Sequence, residues 1–502
     1  MNSIVKVQSQ SIATRTTHQQ LTVADLSPDQ HSAYSAIMTW MRQGTQTKQV
    51  LTLGGYAGTG KSALVSVVAH EMPSPLAFAA FTGKAASVLG RKLAASGIAT
   101  VNRIAYVRDP LSGGRVFEPR PYCGTLHGLV YRPCDACMVE KEYPHTYGEE
   151  CVADMDDAVE IDDGNGEPVH VAPVNGKCLG CDPPPPVKRD GPCTRCAGNR
   201  YLRRERLDRQ YRLIVIDEAS MVSDDMLTAL RSYGIPILAV GDHGQLPPVK
   251  GTGSLMRAPD IRLEKIHRQA AGNPIIALSA RIRETGEIDD ALEDGEAFTI
   301  LAQRNLDAWV AKRFPQARLD VDPTTAQGIM GTVLVSWTNR LRVGLNRDVR
   351  DVLGLAETAP QRGEALICLK NAAPIYNGMR GVLRADAVRA GDGGGKAPKW
   401  KATVDFTEDN QVAENILMSE HQFFEEKTID YDKALSLGVS MAQLGALYDF
   451  GYALTCHKMQ GSQAAEVGVV VEGGMARMPR EDRIRWLYTA VTRAAERLTV
   501  IR

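Results

Sequence analysis

Residues 49–72 read QVLTLGGYAGTGKSALVSVVAHEM. An apolar run, a glycine loop and a second apolar run follow one another without a break, the pattern of a buried strand, a turn and a helix. Within it Gly55 to Ser62, GYAGTGKS, matches G-x-x-x-x-G-K-[ST] between the strand and the helix that the motif requires. Glycines let successive backbone N–H groups turn inward around phosphate oxygens, while Lys61 adds a point charge and Ser62 a hydroxyl for Mg²⁺. Gly55, Gly58, Thr59, Gly60, Lys61 and Ser62 are therefore the expected nucleotide-binding residues. A chance glycine loop would not need these flanks.

Working outward, PLAFAAFTG and the run KAASVLGRKLAASG continue the alternation of strand and helix, as do RLIVIDEAS and IPILAVGD much later in the chain. Short apolar strands alternating with helices predict an α/β fold with a parallel, doubly wound sheet. Asp217 and Glu218 end the strand LIVI. An aspartate there can hold Mg²⁺, and a glutamate beside it can orient or deprotonate an attacking water, so hydrolysis of ATP is expected rather than binding alone. Upstream, Ser27 or Asp29 can cap a helix over LSPDQHSAYSAIMTWM, and residues 1–20 read as a disordered lead-in.

The chain has 502 residues, 44% hydrophobic and 23% charged, enough for roughly three or four units and too much for a single small binding module. A formal net charge of −1 gives no global basic footprint, so contact with nucleic acid must come from local cations and aromatics. The N-terminal MNSIVKVQSQSIATRTTHQQ lacks the apolar core of a secretory signal, and no run reaches the ~18 apolar residues of a membrane span. A soluble, cytoplasmic protein without a membrane partner is expected.

Together LSPDQ, GYAGTGKS, FTGKAA, DEAS, GDHGQLPPV, LEKIHRQ, LTCHKMQGSQ and YTAVTRA run through nearly the whole chain. In that order they resemble the RecD-like and Dda-like branch of superfamily-one DNA helicases. The resemblance implies two RecA-like domains with ATP between them, Gln30 on the adenine, Gln245 as a γ-phosphate sensor, and Arg268 and Arg493 as cations reaching across the interdomain cleft. An arginine that arrives on closure stabilises the transferring phosphoryl group, which couples closure to hydrolysis. The implied division is a first RecA-like domain over 21–260, a second over 261–355 and 441–502, and a small β-barrel insertion over 356–440 that contains IYNGMRG. The chain is expected to act as a monomer.

The same resemblance lays single-stranded DNA over FTGKAA and LTCHKMQGS, implying Thr82, Lys84, Thr455, His457 and Lys458 as contacts. Hydroxyls, N–H groups and a few cations suit sequence-independent phosphate contact. The family segment T-I-H-S-L-I-Y has two candidates, TVNRIAY from Thr100 and TLHGLVY from Thr125; the second keeps a histidine, His127, while the first has the more usual spacing. Aromatics make up only 6% of the chain, and Trp337, Phe81 and Tyr106 can each be a base-stacking platform or a core residue.

Between about 107 and 205 the rhythm gives way to Pro, Gly, Cys and acidic residues. Eight of the ten cysteines lie between Cys123 and Cys196, six of them in three C-x-x-C pairs, which favours metal in a reducing compartment over disulfides. Cys178, Cys181, Cys193 and Cys196 make a compact four-thiolate set for tetrahedral Zn²⁺. Cys134, Cys137, His145 and Cys151 make a second set, with Cys123 as spare, so one or two zinc ions are expected. An alternative joins Cys134 and Cys137 to Cys193 and Cys196 at the base of the insertion, and an iron–sulfur cluster is the runner-up to zinc. Cys368 and Cys456 read as ordinary buried thiols.

Relatives usually place a small wedge hairpin where this chain carries its cysteines, so the insertion is expected to touch duplex DNA or a replication or repair protein. The resemblance implies an ATP-dependent helicase that moves 5′ to 3′ on single-stranded DNA and opens single-strand/duplex junctions. The competing reading is a DNA-stimulated ATPase that remodels or recruits partners through the zinc module without unwinding. A P-loop kinase of a small metabolite leaves LTCHKMQGS and VTRA without a role.

Overall fold

The computed structural model describes residues 21–102, 120–133, 201–207, 211–248, 254–265, 272–314 and 329–502, without 46, 74, 205, 206, 356–358, 372–374, 391–395 and 407–410, together with the backbone of four short strands between 106 and 171. The chain divides into two compact units, His127–Leu207 and the remainder.

In the larger unit the opening stretch folds as read: β1 (Val50–Gly55) is buried along its whole length and passes through the glycine loop into α2 (Lys61–Glu71). Its neighbours are β2 (Leu76–Ala80), β5 (Tyr122–Thr125), β10 (Leu213–Asp217), β11 (Ile237–Gly241) and β12 (Ile261–Leu263). The sheet order is β12-β1-β11-β10-β2-β5, parallel throughout. Flanking helices α1 (Pro28–Thr39), α3 (Gly83–Ala95) and α5 (Asp224–Arg231) complete the layers. Strands buried on both faces must be apolar throughout, which is why LIVI and ILAV carry no alternation. Because β12 belongs to this sheet, the sheet extends past residue 260, where the resemblance placed the end of the first domain.

A second parallel sheet has the order β13-β23-β22-β14-β21, formed by β13 (Phe298–Leu301), β14 (Thr332–Ser336), β21 (Ala453–Thr455), β22 (Ala464–Val470) and β23 (Ala494–Ile501). It is covered by α6 (Pro274–Thr285), α7 (Leu306–Arg313), α8 (Asn339–Val352), α11 (Cys456–Met459) and α12 (Arg480–Val491). Trp486 and Tyr488 of α12 are fully buried in the same core as Val335 and Val467.

The expected β-barrel is an antiparallel sheet that closes only in part. Strands β15 (Ala365–Cys368), β16 (Arg380–Leu383), β17 (Val388–Ala390), β18 (Lys399–Phe406) and β20 (Tyr448–Phe450) run β17-β18-β16-β15-β20, and β19 (Gln411–Ser419) pairs with the other edge of β18. A single bridge, Met418 to Ala446, brings β19 toward the segment that enters β20 after the short helices α9 (Tyr431–Ser436) and α10 (Met441–Leu444). The antiparallel sheet therefore draws its strands from 365–450, and β21, from Ala453, is the next strand of the second parallel sheet.

Buried charge ties this sheet to the second domain. Arg342 of α8 pairs with Asp449 at 2.5 Å, and Arg350 with Glu364 at 2.7 Å, all four side chains being 4% exposed or less. Arg380 donates to the carbonyls of Gly451, Met330 and Thr332. Such groups stay charged inside only with full partners.

In the smaller unit β6 (Tyr131–Pro133) pairs antiparallel with β9 (Tyr201–Arg203), and β7 (Val159–Asp162) with β8 (Pro168–Val171). The zinc ligands expected at Cys134, Cys137, His145, Cys151, Cys178, Cys181, Cys193 and Cys196 lie outside the described residues. So do residues 1–20, expected to be a disordered lead-in. Cys123 is corrected: it sits in β5, 5% exposed, with Sγ 3.6 Å from the Ala86 carbonyl, and burial pushes its thiol up to about 12. A thiol held protonated in a sheet core is no zinc ligand. Cys368 and Cys456 are buried free thiols, as expected. Among the described residues no helix is long and apolar enough to cross a membrane.

Candidate nucleotide and DNA site

The glycine loop owes its shape to two left-handed residues, Gly58 at φ 80° and Gly60 at φ 76°, positions where a side chain would be strained. Lys61 folds over the loop, Nζ donating to the carbonyls of Gly55 at 2.7 Å and Tyr56 at 2.9 Å. Ser62 Oγ lies 3.2 Å from Lys92 Nζ. Asp217 ends β10 and accepts the Glu218 N–H on Oδ1 at 3.0 Å, while Glu218 itself holds a left-handed backbone at φ 53°. A non-glycine residue in that conformation is held by its surroundings, and such strain clusters at functional sites.

These residues face a cleft of about 630 Å³ between the two parallel-sheet domains. Its first wall carries Lys61, Ser62, Asp217, Glu218 and Gln245, and its second wall Gly461, Ser462, Gln463 and Arg493. Arg493 is 4% exposed and donates to the carbonyls of Thr489 at 3.0 Å and Ser462 at 3.1 Å. Burial and the adjacent Asp217 carboxylate push the Glu218 carboxyl up, while Arg493 and Lys61 pull it down. A carboxyl balanced in this way suits a general base near neutral pH.

A second hollow of about 710 Å³ adjoins the other side of the glycine loop and is lined by Gln30, Ala63, Asn273, Ile276, Gln463 and Thr492 among others. Gln30 is tied at both ends: Oε1 accepts the Ser27 N–H in a capping box, and Nε2 donates to the Thr59 carbonyl at 3.2 Å. The glutamine thus braces the phosphate loop from beneath the hollow. Arg268 lies outside the described residues.

The two walls are joined by directed bonds. Thr489 Oγ1 accepts the Leu246 N–H at 3.0 Å, and Gln460 Nε2 donates to the Leu246 carbonyl at 3.0 Å, so GDHGQLPP is gripped by the second domain. Arg283 of α6 stacks 3.4 Å above the ring of Tyr56 inside the glycine loop.

On the expected DNA path, Thr82 caps α3 by accepting the Ala85 N–H at 3.1 Å. Lys84 is 6% exposed and shares the cleft-facing side of α3 with Val88, Arg91 and Lys92. Thr455 is 7% exposed at the end of β21. His457 and Lys458 are half-buried; burial pushes the His457 imidazole down, and burial with the nearby Arg342 pushes the Lys458 ammonium down to about 8. His127 is exposed near the start of α4 (Leu126–Val130), and of the competing segment from Thr100 the side chains are described only as far as Asn102. Trp337 packs partly buried against the second core, Phe81 is half-buried, and the Tyr106 side chain lies outside the described residues.

Sequence reading missed Arg91, Lys92, Asp242 and Tyr488. The first two carried a signal, since 84, 88, 91 and 92 share one helical face. Asp242 and Tyr488 sit inside quoted motifs but took no role, because their significance depends on the opposite domain.

A family profile described as "AAA domain" matches residues 25–305, and one described as "UvrD-like helicase C-terminal domain" matches residues 450–501. A curated relative, the ATP-dependent RecD2 DNA helicase of Deinococcus radiodurans, is 29% identical over 317 residues, 57% of this chain and 36% of the relative. The chain thus spans about a third of that relative's length. Among solved structures, Pif1 helicase from Bacteroides in complex with ADP-AlF3 and ssDNA aligns at TM-score 0.43 and 14% identity, covering 93% of this chain and 91% of that one. Pif1 helicase from Candida albicans aligns at TM-score 0.42 and 17% identity, covering 95% and 94%.

Proposed function

The chain belongs to the AAA-domain family, and from that membership we propose that it is an ATP-dependent DNA helicase that moves 5′ to 3′ on single-stranded DNA and opens duplex at junctions during replication, recombination or repair. The observation that carries this reading is the cleft in which a phosphate loop and an Asp217–Glu218 pair face Arg493 from a second parallel-sheet domain. A cation supplied by one domain to a phosphate held by the other makes hydrolysis depend on closure, and repeated closure is what a motor needs. The partial similarity to a relative named as a DNA helicase supports the substrate class, and the 5′ to 3′ polarity rests on the resemblance of the quoted motifs alone.

In this reading Lys61 leaves the loop carbonyls for the β- and γ-phosphates and Gln30 lies beneath the adenine. The Ser62 hydroxyl and the Asp217 carboxylate, both on the cleft wall, suit Mg²⁺, which would neutralise phosphate charge when bound. Glu218 takes the proton of the attacking water, and Arg493, joined by Arg268, stabilises the charge that develops on the transferring phosphoryl group. Thr82, Lys84, Thr455, His457 and Lys458 line the DNA path, with His127 as a further candidate contact.

We propose further that the cysteine-rich insertion binds Zn²⁺. Of the pairings open in the sequence, the β6–β9 ladder favours Cys134 and Cys137 with Cys193 and Cys196, because Cys134 directly follows β6 and the second pair lies just ahead of β9. The bound ion would fold a segment with little apolar core of its own and present it to duplex DNA or a partner protein. Metal content of the purified chain, with a Cys193→Ser and Cys196→Ser variant as control, checks this independently of activity.

A strand-displacement assay on 5′-tailed and 3′-tailed duplexes tests the main reading. Unwinding of the 5′-tailed substrate alone, lost in Lys61→Ala, is expected. Unwinding that survives Lys61→Ala overturns the motor, and DNA-stimulated ATPase without displacement selects the remodelling alternative.

A further inference from the structure

Tyr488 is buried on α12, five residues ahead of Arg493. Its hydroxyl donates to Asp242 Oδ2 at 2.7 Å and accepts the N–H of Ala57 at 3.0 Å. A phenol has one proton to give, so its donor is committed to Asp242 and its acceptor to the phosphate loop. Both partners belong to the first domain, while Tyr488 belongs to the second. One hydroxyl therefore spans two motifs of the opposite wall.

Asp242 passes the restraint on. Oδ1 accepts the Gly244 N–H at 2.9 Å, and Oδ2 also accepts from Gln245 Nε2 at 3.3 Å. A carboxylate can only accept, so it draws the NH₂ end of the Gln245 amide toward itself. The other end, Oε1, is buried without a hydrogen-bond partner, in a residue that lines the nucleotide cleft. A buried orphan acceptor is costly unless something comes to it. A phosphate oxygen cannot fill that need, being an acceptor itself; a water with two protons can.

We propose that Tyr488 is a positioning residue for hydrolysis: by holding Asp242 and the Ala57 amide it fixes Gln245 with its carbonyl oxygen toward the attacking water, and it does so only while the second domain is seated on the first. The inference rests on the ATP-hydrolysing reading and refines it, for it makes Gln245 an acceptor for water where the motif resemblance implied a γ-phosphate sensor. Two further features hold the ring in place. Tyr56 of the phosphate loop meets Tyr488 edge-on at 6.1 Å, and Arg283 lies 3.4 Å from the first ring and 5.6 Å from the second. Burial and the Asp242 charge keep the phenol proton in place far into the alkaline range, so the donor is never lost at working pH.

The test uses the full chain and compares Tyr488→Phe, Gln245→Ala and the double variant in steady-state ATPase assays with and without oligo(dT), with fluorescent ADP binding and thermal melting as checks on folding. Tyr488→Phe deletes one oxygen and leaves the ring. A kcat about tenfold lower with KM for ATP within about twofold is expected, the signature of an interaction used in the transition state rather than in binding. Because Tyr488 acts through Gln245, the double variant is expected to be no slower than Gln245→Ala alone. A Tyr488→Phe enzyme at wild-type rate, or losses that multiply in the double variant, would overturn the proposal. Should Tyr488→Phe fail to fold, Asp242→Asn breaks the same chain from the other side, and multiplication of its loss with that of Gln245→Ala would be equally fatal. A wild-type chain without ATPase activity sinks the parent reading, whereas an active wild type matched by Tyr488→Phe sinks only this one.

Discussion

Tyr376, in the turn between β15 and β16, packs closely on Gly83, the first residue of α3: a Cβ on Gly83 would stand 2.3 Å from the Tyr376 Cβ and 2.6 Å from its Cγ. The IYNGMRG turn of one domain is thus seated on the FTGKAA segment of the other, and only glycine permits so close an approach.

Gly83→Ala should force the turn off α3. Overpacking of this kind costs about 1–3 kcal/mol, enough to lower the melting temperature and weaken seating of the two domains. DNA-stimulated ATPase should fall with it, and Gly83→Ala combined with Tyr376→Gly, which removes the Cβ that Gly83→Ala would strike, should recover much of both. A double variant as impaired as the single one would show that the contact is not what holds the segments together.

On the proposed reading, Glu218 should set the acid limb of activity. Its carboxyl is raised by burial and by Asp217, and it must be ionised to accept a proton, so kcat should decline as pH falls through a value above the ordinary carboxylate range near 4.3. Arg493 lowers that value, and Arg493→Gln should therefore move the acid limb of the residual rate to higher pH. A kcat–pH profile of the two proteins gives the answer; an unmoved limb would place Arg493 too far from Glu218 in the working state.

How much of this was legible beforehand follows the range of the interactions. The phosphate loop, LIVIDE and ILAVGD were readable because a strand buried on both faces leaves an unbroken apolar run, and the loop fixes its own geometry. Cys123 was misread because the C-x-x-C pairs around it suggested a ligand, whereas its neighbours in space are β2 and α3. The partial closure of the barrel depends on the single Met418–Ala446 bridge, which leaves no periodic trace. Tyr488 and Asp242 are common residue types whose meaning appears only when two distant motifs meet.

Lys458 gives a prediction with a definite sign. Its ammonium titrates near 8, so a phosphate contact made by it should weaken as pH rises from 7 to 9. Single-stranded DNA affinity, measured by fluorescence anisotropy at fixed salt, should show that loss in the wild type and not in Lys458→Arg, whose guanidinium keeps its charge. If both proteins lose affinity alike, another group carries the titration and Lys458 serves the Arg342–Asp449 cluster instead.

The Arg342–Asp449 pair decides whether the antiparallel sheet rides rigidly on the second domain. Asp449 also accepts the N–H groups of Phe424 and Phe450, and Arg342 reaches the Glu425 carbonyl, so the pair bridges α8 to β20 and to the segment that follows β19. Arg342→Met leaves a carboxylate buried without its cation, a loss of about 3–5 kcal/mol, unless the group takes up a proton. Burial already raises the Asp449 carboxyl, and without Arg342 it rises further. A native pKa above the unfolded one means that stability contributed by this site is retained at low pH and lost as pH rises through the native value. Arg342→Met should therefore be most destabilised, relative to wild type, at neutral and alkaline pH and least at mildly acidic pH. Replacing both partners, Arg342→Met with Asp449→Leu, should restore most of the stability and abolish that dependence. Urea unfolding of the three proteins between pH 5 and 8 measures it, and a deficit in Arg342→Met that did not change with pH would show that packing around the guanidinium, not charge, is what the pair provides.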